Sequence, residues 1–113
     1  MPALLTAAIR SSSPMVTAPH AARRSPRPLV KLFMPDGPGI WLLTELDPSD
    51  PTRAFGLCDP HLGSPELGHV CLLELAALRG RLRRPVERDL HFRANRSLSA
   101  YAADARAFRR ISA

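Results

Sequence analysis

The chain is poor in most of the residues that announce a chemistry. Two cysteines, Cys58 and Cys71, stand in 113 residues, too few for a disulfide framework. Each lies in an apolar, strand-like stretch, where a buried free thiol is the common state, and a reducing cytoplasm fits. Aromatic residues make up 5% of the chain, with one Trp and one Tyr, so a platform that stacks successive bases of a single strand is not supported. No stretch approaches the roughly eighteen apolar residues that cross a bilayer, and no membrane partner is expected. Of 16 basic residues only Lys31 is lysine, so the basic chemistry is arginine chemistry. Acids are absent from residues 1–31.

The length suits one domain, and 45% hydrophobic against 23% charged residues is globular usage. The formal net charge is +6 and the sequence pI is near 10.9, a balance that favours polyanions. A GC-rich genome also yields arginine, alanine and proline, so composition alone leaves drift and selection level. The distribution says more. Residues 1–31 hold five positive charges. Residues 32–78 hold seven acids and Arg53, and residues 79–113 hold ten arginines against Glu87, Asp89 and Asp104. An acidic middle is thus flanked by basic ends, which either neutralise it or serve an outside partner.

Along the chain, residues 1–28 read as a disordered basic tail, with SSSP, TAPH and ARRSPRP and four helix-breaking prolines from Pro14 onward. Residues 29–113 read as a single domain. LVKLFM (29–34) and IWLLTEL (40–46) are strands joined across Asp36-Gly37-Pro38-Gly39 as an antiparallel hairpin. Alternation puts Ile40, Leu42, Thr44 and Leu46 on the better core face, and Trp41, Leu43 and Glu45 opposite, on a face that Trp41 and Leu43 make at least half-buried near its start. Asp47 to Pro51 is a turn, and residues 53–59 form a third strand in which Gly56 leaves room for Trp41. A loop spans 60–68 and a short strand 70–72. A helix over 73–79 stops at Gly80, with Arg79 at its negative end. VERDLHF (86–92) alternates as a strand that buries Leu90 and Phe92. Ser99 caps a last helix over 100–108, with Tyr101, Ala105 and Phe108 on its inner stripe. The fold class is α+β: one antiparallel sheet of four or five strands with two short helices.

Several motifs in this order, VKLF, WLLTELDPSDP, AFGLCD, PELG, ERDLHF and LSAYAADAR, resemble a bacterial domain of unknown function met in small plasmid and mobile-element proteins. The resemblance covers about 29–111. It implies an accessory role beside mobile elements and carries no catalytic residue or cofactor across. The family shows a serine-bearing SLSEL where this chain has CLLEL (71–75), which implies a helix start weaker by about 1 kcal/mol. His61 and His69 replace an expected glycine and tyrosine.

Candidate sites follow from the residue types. Arg79, Arg81, Arg83, Arg84 and Arg88 form the densest basic patch, suited to phosphate contacts, with Arg93 and Arg96 beside it. The plain alternative is a solvated loop, or a clamp on the acids at 47–59. Glu87, Asp89 and His91, spaced i, i+2, i+4 on a strand, would share one face about 7 Å apart, as a metal-dependent hydrolase or nuclease requires. Alternation alone produces the same pattern and is the favoured explanation. Cys58, His61, His69 and Cys71 make a loose C-x₂-H and H-x-C set of zinc-ligand types, but the second pair is poorly spaced and Cys58 suits a core, which is the favoured explanation. Asp47, Asp50, Asp59 and Glu45 form an acidic group that turn chemistry largely accounts for. No metal or cofactor is assigned. The preferred reading is a non-enzymatic accessory or interaction module that binds nucleic acid through the arginine patch. The alternatives are the Glu87–Asp89–His91 hydrolase and a regulator of an acidic protein partner. Limited proteolysis is expected to trim the tail and leave a resistant fragment starting near Leu29. Protection of Arg23-Arg24 in the free protein would contradict that boundary.

Overall fold

The computed structural model describes residues 26–60 and 63–113. Expectations for residues 1–25, nearly all of the tail, and for His61 lie outside them. Among the described residues five strands and two helices run in the order β1 (Val30–Phe33), β2 (Ile40–Asp47), β3 (Asp50–Asp59), β4 (Glu66–Cys71), α1 (Leu72–Ala77), β5 (Glu87–Arg88) and α2 (Leu98–Phe108). The strands form one antiparallel sheet in the spatial order β4-β3-β2-β1-β5. The α+β class read from the sequence holds, with five strands.

The central strand β2 is buried on both sides, the Trp41 and Leu43 face more fully than the half-burial expected of it. Trp41, Leu43 and Leu46 pack with Val30, Leu32 and Ala54 against Leu72 and Leu75 of α1. Leu42 packs with Leu57 against Leu98, Tyr101, Ala102 and Ala105 of α2. Each face therefore has its own helix, which is why β2 reads as a nearly continuous apolar run. The expected faces also fail beyond Leu43, because a β-bulge intervenes. Leu43 pairs with Gly56 and Glu45 with Phe55, leaving Thr44 without a cross-strand partner. One extra residue reverses the phase. Leu46 joins Leu43 on the α1 side, and Glu45 turns to the α2 side. Thr44 Oγ1 donates to the Phe55 carbonyl at 3.2 Å, which satisfies the buried hydroxyl.

Gly56 sits opposite the bulge, and its role differs from the one expected. A Cβ there would overlap the Leu42 carbonyl oxygen and come within 2.9 Å of Leu43 Cα. The room is taken by β2 backbone rather than by Trp41. The indole lies over Gly39, where an added Cβ would stand 2.6 Å from the ring.

The 86–92 strand is a further correction. Pairing stops after Arg88, apart from a bond from the Asp89 N–H to the Lys31 carbonyl (2.9 Å). The Asp89 side chain then accepts the His91 N–H at 2.9 Å, and its carbonyl accepts the Phe92 N–H at 3.3 Å. This turn, of the kind Asp favours, throws Leu90 outward to 74% exposure. Phe92 is partly buried against the α2-side core. The last helix starts two residues early because Ser97, not Ser99, accepts the Ala100 N–H (3.2 Å). Tyr101 and Ala105 are buried as expected, whereas Phe108 is 65% exposed. The Leu98 N–H donates to the Pro26 carbonyl at 2.8 Å, so the folded unit reaches back at least to Pro26.

Gly56→Ala is expected to cost about 3 kcal/mol or more, since the clash is with backbone that cannot rotate away. Leu42→Ala should cost about 2–5 kcal/mol, and Leu90→Ala under about 0.5 kcal/mol. Denaturant unfolding of the three variants checks this. A loss at Leu90 as large as at Leu42 would contradict the turn at 89–92.

Candidate functional site

The arginine patch is built on one carboxylate. Asp36 occupies the β1–β2 turn, which is closed by bonds from the Met34 N–H to the Gly39 carbonyl (2.9 Å) and from the Gly37 N–H to the Met34 carbonyl (3.3 Å). Its Oδ2 accepts the backbone N–H of Leu82 at 2.7 Å and of Arg84 at 3.3 Å. Its Oδ1 is buried without a hydrogen-bond partner among the described residues, pressed against Gly80, where any Cβ would overlap it. The 80–84 loop is otherwise shaped by its own backbone. The Arg83 N–H donates to the Gly80 carbonyl at 3.0 Å, Arg83 itself is left-handed at φ 61°, and Arg79 bridges to Pro85. The loop thus wraps its amides around an acid, as anion-binding nests do. The acid is Asp36 at the hairpin turn, reached through amides, and not the 47–59 group reached through guanidinium.

That anchoring sorts the five arginines. Arg79 donates from Nη1 to the carbonyls of Ala76 and Leu78, both at 2.8 Å, and closes the C-terminus of α1, where cations are favoured. The helix ends there because Leu78 turns extended (φ −68°, ψ 138°), so Gly80 is needed for Asp36 and not as the helix stop. Arg84 pairs with Glu87 at 3.1 Å. Arg88 is half-buried on β5 opposite Leu32. Arg81 and Arg83 are exposed and stand in none of the ion pairs joining described residues. Farther along, Arg96 pairs with Asp104 at 3.9 Å and covers the Tyr101 ring at 4.8 Å, so it is occupied as well.

The other constellations do not assemble. Glu87 opens β5 and pairs with Arg84, whereas Asp89 turns to Lys31 (3.8 Å) and His91 lies within the turn. Asp89 and His91 border an open cleft of about 400 Å³ with Lys31 and Arg88, but Glu87 is not one of its walls. The strand face on which the three were aligned does not exist. Cys58 is packed on the α1-side core, and burial pushes its thiol up to about 11. His69, edge-on to Phe55 at 5.1 Å, belongs to the face reversed from Cys58, since Phe55 and Cys58 lie an odd number of residues apart. Cys71, at the end of β4, is the N-cap residue of α1 and makes no side-chain cap bond. Asp47 accepts the Ser49 N–H (2.8 Å), and Asp50 accepts both the N–H (3.0 Å) and the hydroxyl (2.6 Å) of Thr52. The Thr52 hydroxyl, followed by its amide, lowers the Asp50 pKa. These two acids are turn-formers. Asp59 accepts the Gly63 N–H at 3.2 Å, and it stands at the far end of the β2–β3 ladder from Glu45. The Asp36 anchor was not singled out from the sequence. Its only signal was an Asp-Gly turn, which hides a carboxylate that serves a loop more than forty residues away.

The chain belongs to the family described as Protein of unknown function (DUF2958), whose match spans residues 4–112. No curated protein and no solved structure matches the chain.

Asp36→Ala is expected to cost about 1–3 kcal/mol, because two loop amides lose their acceptor. It should speed amide hydrogen exchange at Leu82 and Arg84 while leaving β2 and β3 protected. Unchanged exchange at those two amides would show that the loop holds its shape without the carboxylate.

Proposed function

We propose that this domain is a non-enzymatic interaction module that binds nucleic acid through the phosphate backbone, with Arg81 and Arg83 at the centre of the contact. The observation that carries the reading is the pairing of a backbone fixed from beneath by Asp36 with two exposed arginines that form no ion pair among the described residues. A fixed loop loses little entropy on binding, and guanidinium forks suit phosphate oxygens. Contacts of this kind are indifferent to sequence and weaken with salt. Arg84 contributes less, because Glu87 competes for it. Arg79 and Arg88 add to the local potential while their side chains serve the fold. An accessory role on plasmids or mobile elements, in the cytoplasm, accords with a sequence-indifferent binder, though that association is one of context and not of chemistry.

The hydrolase reading is less favoured because Glu87, Asp89 and His91 diverge. A regulator of an acidic protein would use the same arginines and is separated by experiment. Anisotropy titrations with two unrelated duplexes of matched base-step composition should give equal affinities. Replacing Arg81 by Gln and Arg83 by Asn, which tolerates the left-handed backbone, should weaken both alike. The salt slope should fall by up to about 2, near one counterion per lost phosphate contact. Arg84→Gln should change affinity less. Absence of duplex binding by the wild type at low salt would overturn the reading and leave the acidic-protein partner.

A further inference from the structure

The arginine loop carries one residue that phosphate binding does not use. Leu82 lies between Arg81 and Arg83 and is 75% exposed, outside both core clusters. An isolated exposed leucine is ordinary in itself. Leu90 is turned out as far by the Asp89 turn, but Leu82 has an arginine on both sides and a fixed backbone beneath it. Its own N–H is the shorter of the two bonds to Asp36, at 2.7 Å. The next residue is left-handed, and the turn is locked from Arg83 N–H to the Gly80 carbonyl. With the backbone fixed by those bonds, the side chain projects into solvent. Leu82 is held out between two cations.

We infer that Leu82 is an intercalating wedge: the loop enters the minor groove of duplex DNA, Leu82 inserts between two base pairs and bends the duplex, and Arg81 and Arg83 hold the flanking phosphates. This rests on the nucleic-acid reading above and adds the form of the partner and the deformation imposed on it. Apolar wedges of this size unstack a single step, and the bend brings further phosphates within reach of basic side chains. Such a wedge favours pyrimidine–purine steps, which open most easily. The surroundings select this occupant over two others. A bilayer anchor needs far more apolar surface than four carbons, since even one long acyl chain binds only marginally. The centre of a protein–protein contact is depleted of charge, whereas Leu82 has arginine on both sides.

The test uses the full chain and end-labelled 30-base-pair duplexes that differ at the centre, one with a TA step and one with an A-tract. Bending is read by energy transfer between the ends, and affinity by anisotropy across a salt series. The wild type should bring the ends of the TA duplex closer and bind it about tenfold more tightly than the A-tract. Leu82→Ala should abolish the bend and that preference, and should lower the salt slope by less than the Arg81 and Arg83 replacements do, since only the phosphates reached through the bend are lost. Leu82→Met should keep both, and an unchanged melting temperature would show that neither variant disturbs the fold. Binding by the wild type without a change in energy transfer overturns the wedge and leaves the phosphate reading standing. No binding at low salt overturns both. Vesicles of anionic phospholipid form the last arm. Leu82-dependent binding to them, with straight DNA, would assign the leucine to a membrane and overturn the inference.

Discussion

No side chain fits between Gly56 and the β2 backbone at Leu42 and Leu43, and that contact sets the rest of the arrangement. It seats the bulge at Thr44, which exchanges the two faces of β2 at mid-strand. Leu46 is thereby returned to the side of Trp41 and Leu43, where α1 is short and needs every apolar partner. Without the exchange Leu46 would press into the α2 side, and the α1 core would lose one of its large side chains. A sheet covered on both faces by one small helix each is marginal at this size. It relies on β2 being apolar in both directions.

The same hairpin positions the arginine loop. β2 returns from β1 through the turn that holds Asp36, and β5 pairs with the outer edge of β1. The segment leading into β5 must therefore pass close to that turn. Asp36 uses the proximity. It takes up loop amides that no strand or helix would satisfy, and it leaves Gly80 as the residue that can pass beneath its carboxylate. A loop with five arginines in ten residues (79–88) repels itself, and the half-buried Asp36 carboxylate offsets part of that cost from below.

Much of this was legible in the sequence. The strand-rich middle, the hairpin across Asp36 to Gly39, the turn chemistry of Asp47 and Asp50 and the burial of Leu42, Leu57 and Trp41 follow from patterning and turn residues. What failed did so for local reasons. Thr44 bulges because Gly56 invites the close approach, and two-residue periodicity cannot register an inserted residue. Leu90 and Phe92 alternate well with their neighbours, yet Asp89 captures the His91 amide and ends the strand. Ser97 and Ser99 both offer a cap, and starting at Ser97 brings Leu98 into the core. For the site, the arginine cluster was visible as composition. Its division into engaged and unengaged members was not, because that depends on the bond from Arg79 to the end of α1, on the Glu87 pair and on Asp36.

The charge pattern can now be argued further than composition allowed. An acidic middle and a basic end could cancel within the fold, in which case the arginines would need no partner. Among the described residues four ion pairs form: Lys31 with Asp89, Arg53 with Asp47, Arg84 with Glu87 and Arg96 with Asp104. None of these four joins an acid of 32–78 to an arginine of 79–113. The strand order explains the separation. Glu66 lies on β4 and Asp47, Asp50 and Asp59 lie at or beside the ends of β3, whereas the arginine loop leads into β5 at the opposite edge. Across the width of a sheet, exposed charges interact weakly at physiological salt. Asp36 is the acid of the middle segment that does meet the loop, and its charge is directed at amides. Codon bias can raise the number of arginines. It has no means of placing a carboxylate under the loop that carries them while Arg81 and Arg83 stay without acids. That placement is a property of the fold, and it leaves their charge directed outward.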